Sequence, residues 1–283
     1  MQMFVSRRAR FGINFSRAVM NLDNKVVIVT GSGGRGCGRA IACRFAREGA
    51  AVVVSDINQQ GGEETVRQIQ RAGGRTAFKP ADMQIQSQVR ELIAFAEKTF
   101  GGLHILINNA SGPEFRPDLP LELWDALIQT ELLGTMFATR FAIDAMRRSG
   151  GGAIVNMSSI SALPHGRNSG SPAYDTAKAG ILRLTTALAP VVEKEKIRIN
   201  CLAPGWIASP GPLEYWQSLT PEQRRQRSVP SRLLGLDEIA EVILRLATDD
   251  ALTGRILVWH SEDEPRLIPA GDPGYMALER FAH

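Results

Sequence analysis

Short, β-branched apolar runs alternate with longer helix-forming segments along the chain from Lys25 to Trp259. Such alternation predicts repeated strand–helix–strand units, and therefore a mostly parallel sheet flanked by helices. Runs that are apolar throughout are typical of parallel strands buried on both faces. Seven runs fit this description: 26–29, 51–54, 76–78, 104–107, 153–157, 197–203 and 255–259. We therefore expect a single α/β domain with a seven-stranded, doubly wound sheet.

Helical patterns lie between these runs and define the domain boundaries. Helices are predicted at 39–48, 63–72, 87–100, 121–148, 174–194 and 237–247, with a short capped helix starting at Thr220. One domain at 24–259 is expected, with a flexible basic leader at 1–23 and a surface tail at 260–283. Residues 209–231 form an insertion before the last helix. In a fold of this class it lies beyond the carboxyl ends of the strands, where ligands bind.

The distribution of charge argues against a nucleic-acid-binding protein. The formal net charge is +4, and residues 1–19 contain four arginines and no acid, so the remainder sums to zero. No basic stripe or stacking platform for nucleic acid is visible in that remainder. Its longest apolar runs fall short of the ~20 residues that a membrane helix needs. We therefore expect no nucleic-acid partner and no membrane span.

Cysteine usage and the leader bear on the compartment. The three cysteines form no CxxC motif and do not cluster with the four histidines, so neither a disulfide framework nor a metal site is predicted. A cytoplasmic location follows from this pattern. The arginine-bearing, acid-free leader also fits an organelle-targeting peptide, which leaves an organellar location as the alternative.

A glycine-rich segment, residues 30–38 (TGSGGRGCG), joins the first strand to the first helix. Glycines allow a tight turn and let a pyrophosphate approach N–H groups at a helix N-terminus, where the helix dipole favours negative charge. Asp56 ends the second strand 18 residues after Gly38, as a ribose-binding acid should. This context predicts a Rossmann-type dinucleotide site. Its phosphate-binding residues are expected to be Gly31, Arg35, Gly36, Cys37 and Gly38.

The same residues bear on the choice between NAD and NADP. Asp56 would accept hydrogen bonds from ribose hydroxyls and repel a 2′-phosphate, which favours NAD. Arg35 could neutralise a 2′-phosphate, so NADP remains the alternative cofactor.

Tyr174 and Lys178 stand four residues apart at the start of a predicted helix, which places them on one helical face. A free tyrosine has a pKa of about 10, but a nearby ammonium stabilises the phenolate and lowers that pKa. The pair therefore predicts an acid–base group. Ser159, after the fifth strand, could hold a substrate oxygen, and Ser158 and Ser161 are rival candidates.

Together these motifs resemble the short-chain dehydrogenase/reductase family over residues 24 to about 259. The matching segments are 30–40, Asp56, 81–83, 107–111, 154–159, 174–180 and 199–209, with the strand ending at Trp259. The resemblance implies an NAD(P)-dependent enzyme in which Tyr174 is the acid and base, Lys178 lowers its pKa and binds the nicotinamide ribose, and Ser159 holds the substrate oxygen.

The resemblance also implies further cofactor contacts and an assembly. It places Asp82 and Met83 beside the adenine, and Asn109 and Ala110 along the cofactor groove. It brings Pro204, Gly205 and Ile207 to the nicotinamide end, with Ser209 near the carboxamide. A homodimer or homotetramer is implied, and the helix after the fourth strand could supply its contact face with Leu132, Met136, Ala138 and Ala142.

The chain departs from the family pattern at four places. Four residues, not three, separate Gly31 from Gly36, and the spacing from Ser159 to Tyr174 is two residues longer than usual. Glu131 stands where the family usually has an asparagine that holds a water beside the lysine. A longer segment after Trp259 replaces the usual short finish. We interpret Glu131 as a substitute in the proton relay, with a changed pH optimum.

The leading functional prediction is interconversion of a small or medium, partly apolar alcohol and its ketone. Apolar and aromatic residues of 206–219, such as Trp206 and Trp216, favour such a substrate. A weakly catalytic NAD(P)-binding sensor or scaffold is one alternative. An enoyl-type C=C reductase is another, although that branch of the family typically separates tyrosine and lysine more widely.

Overall fold

The computed structural model describes residues 21–112, 120–163 and 171–269. The four leader arginines and the chain beyond residue 269 lie outside these ranges. One sheet runs through the described residues in the order β3-β2-β1-β4-β5-β6-β7-β8. Its strands are β1 Val26–Thr30, β2 Ala51–Ser55, β3 Arg75–Phe78, β4 Ile105–Asn108, β5 Gly152–Met157, β6 Ile197–Pro204, β7 Ile256–Trp259 and β8 Arg266–Leu267.

Helices cover both faces of the sheet. They are α1 Cys37–Arg47, α2 Gln59–Arg71, α3 Gln86–Phe100, α4 Leu121–Ile128, α5 Gly134–Arg148, α6 Pro172–Val192, α7 Pro210–Ser218, α8 Pro221–Gln226 and α9 Leu236–Thr248. A π-helical turn, Gln129–Leu133, joins α4 to α5. The doubly wound α/β domain that the alternating pattern predicts is therefore confirmed.

The side chains of β1 show why a continuous apolar run predicts a buried strand of this sheet. Val27 and Val29 pack into the cluster that includes α1 and α9, whereas Val26 and Ile28 pack into the cluster that includes α3 and α5. Successive strand residues point to opposite faces, so a strand covered on both faces needs apolar residues at every position.

All seven predicted strands are present, and the structure adds an eighth. β8 pairs antiparallel with β7 through Leu257–Leu267 and Val258–Arg266. Two exposed residues carry no apolar run, so their sequence offered no strand signal. Part of the predicted tail is thus paired with the edge of the sheet.

Two helical predictions need correction. The segment 121–148 was predicted as one helix, but the π turn interrupts it, and α7 was not predicted. Ala138 and Ala142, suggested above as contacts between subunits, are fully buried in the core, whereas Met136 is 41% exposed. None of the helices in the described ranges is long and apolar enough to cross a membrane.

Candidate active site

A cleft of about 1620 Å³ opens at the carboxyl ends of the central strands. β1 lies between β2 and β4, so the order of the sheet reverses beside the cleft. Ligands of open α/β sheets bind at this topological switch point. The cleft is lined by all but two of the site residues predicted from sequence. The exceptions are Arg35, which is exposed, and Glu131, which is buried.

The glycine-rich loop combines close packing with open space. Gly31 has a φ of +64°, and a Cβ there would lie 2.6 Å from the Ala110 Cα. A Cβ at Gly38 would lie 2.2 Å from the Gly31 carbonyl oxygen. At Gly34 and Gly36, by contrast, a Cβ would meet no atom closer than 3.7 Å. The loop therefore leaves an open cradle at the start of α1, which fits the pyrophosphate of NAD(P).

Asp56 and Arg39 hold the longer loop in place. The Asp56 carboxylate accepts hydrogen bonds from the backbone N–H groups of Gly33 at 2.7 Å and Asn58 at 2.9 Å. Arg39 donates from Nη2 to the carbonyl oxygens of Gly33 at 2.8 Å and Gly61 at 3.1 Å. The loop is thus linked at Gly33 to the start of α2, while Asp56 still lines the cleft.

The loop after β4 is tied to the glycine loop through Thr30. The Thr30 hydroxyl accepts hydrogen bonds from the backbone N–H groups of Asn109 and Ala110, each at 3.0 Å. The Asn109 side chain donates to the carbonyl oxygens of Thr30 at 2.9 Å and Gly31 at 3.1 Å. These hydrogen bonds hold the loop after β1 and the loop after β4 together at the switch point.

Tyr174, Lys178 and Ser159 converge in the cleft. Lys178 Nζ lies 5.3 Å from the centroid of the Tyr174 ring, one helical turn away on α6. Ser159 hydrogen-bonds the Tyr174 hydroxyl. The Lys178 ammonium donates to the Met157 carbonyl oxygen at 2.9 Å, which fixes the lysine against the end of β5.

The geometry separates the three candidate serines. Ser158 is buried and donates its hydroxyl to the Lys178 carbonyl oxygen at 2.8 Å. Ser161 donates its hydroxyl to Ser159 Oγ at 3.0 Å. Ser159 lines the cleft and hydrogen-bonds Tyr174.

Glu131 forms a buried ion pair with the lysine. Its side chain has no exposed surface, and Oε2 lies 2.7 Å from Lys178 Nζ. Oε1 accepts hydrogen bonds from Ser111 Oγ at 2.5 Å and from the Gly112 backbone N–H at 2.9 Å. The residue belongs to the π turn, a feature that often marks functional sites in helices. One carboxylate thus links the lysine to the loop after β4.

Burial shifts the pKa values of the two proton-transfer groups in opposite directions, and neighbouring charges modify both shifts. Burial raises the pKa of Tyr174, and although Lys178 and the Ser159 hydrogen bond lower it, the Glu131 charge raises it again, so the net shift is upward. Burial lowers the pKa of Lys178, but Glu131 and Tyr174 more than offset this and raise it overall. The lowered tyrosine pKa expected from the lysine alone is therefore not what the site shows.

The 209–231 segment and the chain after β7 form the far wall of the cleft. Trp206 and Ile207 line it, whereas Leu219 is buried and Tyr215 stacks on Trp206 with ring centroids 6.0 Å apart. The Ser261 hydroxyl accepts from the Trp206 N–H at 2.9 Å and donates to its carbonyl oxygen at 3.2 Å.

A second bond reaches the other end of the same segment. The Glu262 carboxylate accepts from the Ser231 N–H at 2.5 Å. Ser261 and Glu262, which we call the strap, thus hold both ends of the insertion in place.

Several of these contacts were not found by sequence reasoning. Thr30 and Ser111 stand inside motifs that were recognised, so their positions gave a usable signal. Arg39 follows the last loop glycine but carried no evident role. Residues 260–263 gave no signal, because their place on the cleft wall depends on the path of the chain after β7. Within the described ranges, no group of three histidine, cysteine or acidic residues could hold a metal ion.

Comparison with known proteins points in one direction. The family model for short chain dehydrogenases matches residues 25–217. A cyclohexanol dehydrogenase of Acinetobacter sp. (strain SE19) is 34% identical, over 81% of this chain and 90% of that protein. A 7alpha-hydroxysteroid dehydrogenase of Bacteroides fragilis is 31% identical, over 83% and 93%.

The solved structures give the same result. A 7 alpha-hydroxysteroid dehydrogenase complexed with NADH and 7-oxo glycochenodeoxycholic acid superposes with a TM-score of 0.76 at 30% identity. The match covers 84% of this chain and 93% of that one.

Proposed function

Because the chain belongs to the short-chain dehydrogenase/reductase family and is an NAD(P)-dependent oxidoreductase, we propose that it interconverts an alcohol and a carbonyl compound. The observation that carries this proposal is the convergence of Tyr174, Lys178 and Ser159 in the cleft that begins at the glycine loop. The substrate is a small molecule, and the names of the relatives make cyclohexanol and hydroxysteroids the first compounds to test.

The residues that would hold NAD(P) line the cleft. The glycine loop and the start of α1 hold the pyrophosphate, and Asp56 holds the adenosine ribose, with NAD favoured over NADP because a 2′-phosphate would meet its charge. When bound, the cofactor accepts or supplies the hydride. Lys178 has one ammonium donor beyond those directed to Met157 and Glu131, and this donor serves the nicotinamide ribose.

The protein side of the reaction is proton transfer and positioning. In oxidation, Ser159 hydrogen-bonds the alcohol oxygen and Tyr174 Oη, as phenolate, takes its proton. In reduction, the neutral Tyr174 hydroxyl gives that proton to the carbonyl oxygen. The Lys178 charge stabilises the phenolate, and Glu131 moderates that effect while holding the lysine in place.

Replacing the tyrosine tests this proposal. We expect Tyr174→Phe to bind NADH as wild type does, because the phenol oxygen does not carry the cofactor. Turnover on a panel of alcohols and ketones should fall by about 10²- to 10⁴-fold, the usual contribution of a positioned acid or base. NADH fluorescence titration and NADH absorbance measure the two quantities.

The outcome also separates the alternatives. Wild-type protein that binds NADH but turns over nothing in the panel would favour a sensor or scaffold. Turnover that survives in Tyr174→Phe would remove Tyr174 from the mechanism.

A further inference from the structure

Three arginines lie close together on the far wall of the cleft. α8 and the turn after it bring Arg224, Arg225 and Arg227 to this wall within four residues of chain. Trp206 and Ile207 line the same cleft, so the arginines adjoin an apolar surface. Nothing in the proposed hydride transfer uses these charges.

Arg224 is held rigidly by its neighbours. Its guanidinium lies 3.4 Å from the centroid of the Trp216 ring, and Nε and Nη2 donate to the Trp216 carbonyl oxygen at 3.1 and 2.9 Å. Nη1 has no hydrogen-bond partner among the residues that the structure describes. A stacked guanidinium with free donors loses little conformational entropy when it binds an anion.

The charges of Arg224 and Arg227 are not neutralised locally. Arg227 donates from Nη1 to the Tyr215 hydroxyl oxygen at 3.1 Å. Within the described parts of the chain, no carboxylate lies at ion-pair distance from either residue, whereas Arg225 is paired with Glu222. Glu262 also lines the cleft, but its carboxylate accepts a hydrogen bond from the Ser231 backbone N–H.

From this arrangement we propose that the substrate is an alcohol or ketone with an apolar body and a carboxylate group, and that Arg224 and Arg227 bind the carboxylate. The proposal rests on the proposed function, because it assumes that the reacting carbon lies at Tyr174. A planar guanidinium matches a carboxylate through paired hydrogen bonds. The cofactor pyrophosphate is a second anion within the same cleft, but the glycine loop and the start of α1 already provide its site.

Matched substrates test the preference directly. The probes are 4-hydroxycyclohexanecarboxylate and 3-(4-hydroxycyclohexyl)propanoate, each compared with its methyl ester. We expect wild type to favour at least one acid over its ester by about tenfold in kcat/KM, which corresponds to ~1.4 kcal/mol. In Arg224→Gln and in Arg227→Gln the ratio should fall towards one. The control is Arg232→Gln, because Arg232 is paired with Glu238 and does not line the cleft.

A binding measurement that needs no turnover tests the carboxylate site independently of the proposed catalytic function. In the Tyr174→Phe background with NADH bound, calorimetry should show the same acid-over-ester preference and its loss in the arginine variants. Equal affinity for acid and ester overturns the carboxylate site, whatever the turnover assay shows. If the arginine variants instead weaken NADH binding tenfold and leave the ratio unchanged, the arginines serve the cofactor and the proposal is wrong. If Arg224→Gln does not fold, Arg227→Gln carries the test.

Discussion

At the scale of single residues, the buried ion pair of Lys178 with Glu131 gives this reaction centre its particular electrostatics. The lysine charge stabilises the Tyr174 phenolate, and the glutamate charge opposes that stabilisation. Because the carboxylate lies 2.7 Å from the ammonium, the two opposite charges act on the tyrosine from nearly the same place. The relay role of Glu131 stays a prediction, and it has a measurable consequence for pH.

Glu131→Gln should move the pH profile of alcohol oxidation to lower pH. Oxidation needs the Tyr174 phenolate, so the rate rises as pH increases through the pKa of Tyr174. Burial raises that pKa, Lys178 lowers it, and the charges of Glu131 and Asp175 raise it. Removing the Glu131 charge therefore lowers the tyrosine pKa and shifts the rising limb downward. The pH dependence of kcat/KM measures this shift.

Glu131→Asp is the matched control, because it keeps the negative charge. The rising part of its pH profile should therefore stay near the wild-type position. An unchanged profile in both Glu131→Gln and Glu131→Asn would show that the residue has no part in the relay. The Gln variant leaves Lys178 buried without a counter-charge, so its free energy of unfolding should fall by about 3 kcal/mol. Urea denaturation checks that loss alongside the kinetics.

Asp56→Asn should reduce the preference for NAD over NADP. The amide oxygen can still accept the hydrogen bond from the Gly33 N–H, which supports the loop, whereas the charge and the bond from the Asn58 N–H are lost. We expect the ratio of the Kd values for NADPH and NADH to fall by about tenfold, or ~1.4 kcal/mol. Fluorescence titration of both cofactors measures the ratio. An unchanged Kd for NADPH would mean that the Asp56 charge does not select the cofactor.

At the scale of elements, the strap after β7 determines how firmly the far wall of the cleft is held. Ser261 bonds both backbone groups of Trp206 before α7, and Glu262 bonds Ser231 after α8. The insertion between these points contains two short helices, α7 and α8. Its rigidity therefore depends on the segment that the sequence suggested to be a tail.

Ser261→Ala should loosen this wall. The variant removes the acceptor of the part-buried Trp206 N–H, at a cost of about 1 kcal/mol, whereas the Trp206 carbonyl oxygen still accepts from the Leu234 N–H. Limited trypsin digestion with mass spectrometry should show faster cleavage after Arg225 and Arg227. Ser218→Ala is the control, because that hydroxyl bonds only the exposed Tyr215 carbonyl oxygen. Equal cleavage rates in wild type and Ser261→Ala would show that the strap does not restrain the insertion.

The helical elements show where pattern reasoning worked and where it stopped. The Thr220 capping box was read from the sequence and is present, with Gln223 as its partner. The π turn was missed, because Gln129–Leu133 contains no proline or glycine that would mark an interruption of the helix. α7 was missed because its first three residues, Pro-Gly-Pro, are typical of a loop.

At the scale of the whole molecule, assembly stays a prediction. Leu121 on α4 is 70% exposed and Met136 on α5 is 41% exposed, so an apolar surface is available on these two helices. Association would bury it. We expect sedimentation to give two or four times the mass of one chain, and Met136→Glu to shift the population towards the monomer. A wild-type monomer at micromolar concentration would refute the predicted homodimer or homotetramer.

The sequence by itself determined the α/β domain, the family and the positions of seven strands along the chain, because these depend on local patterns of apolar residues and on short motifs of fixed spacing. All but two of the site residues that it predicted line the cleft. Only the tertiary structure distinguishes the contacts of Ser158, Ser159 and Ser161, since these depend on how the chain leaves β5, and the role of Ser159 stays a prediction.

The partner of Glu131 and the charges around Arg224 were likewise decided by tertiary structure. Lys178 is 47 residues from Glu131 in sequence but 2.7 Å away in space. The resemblance had placed Glu131 near the lysine, but the direct ion pair depends on how α6 packs against the π turn, because electrostatic interactions act over ångströms and not along the chain.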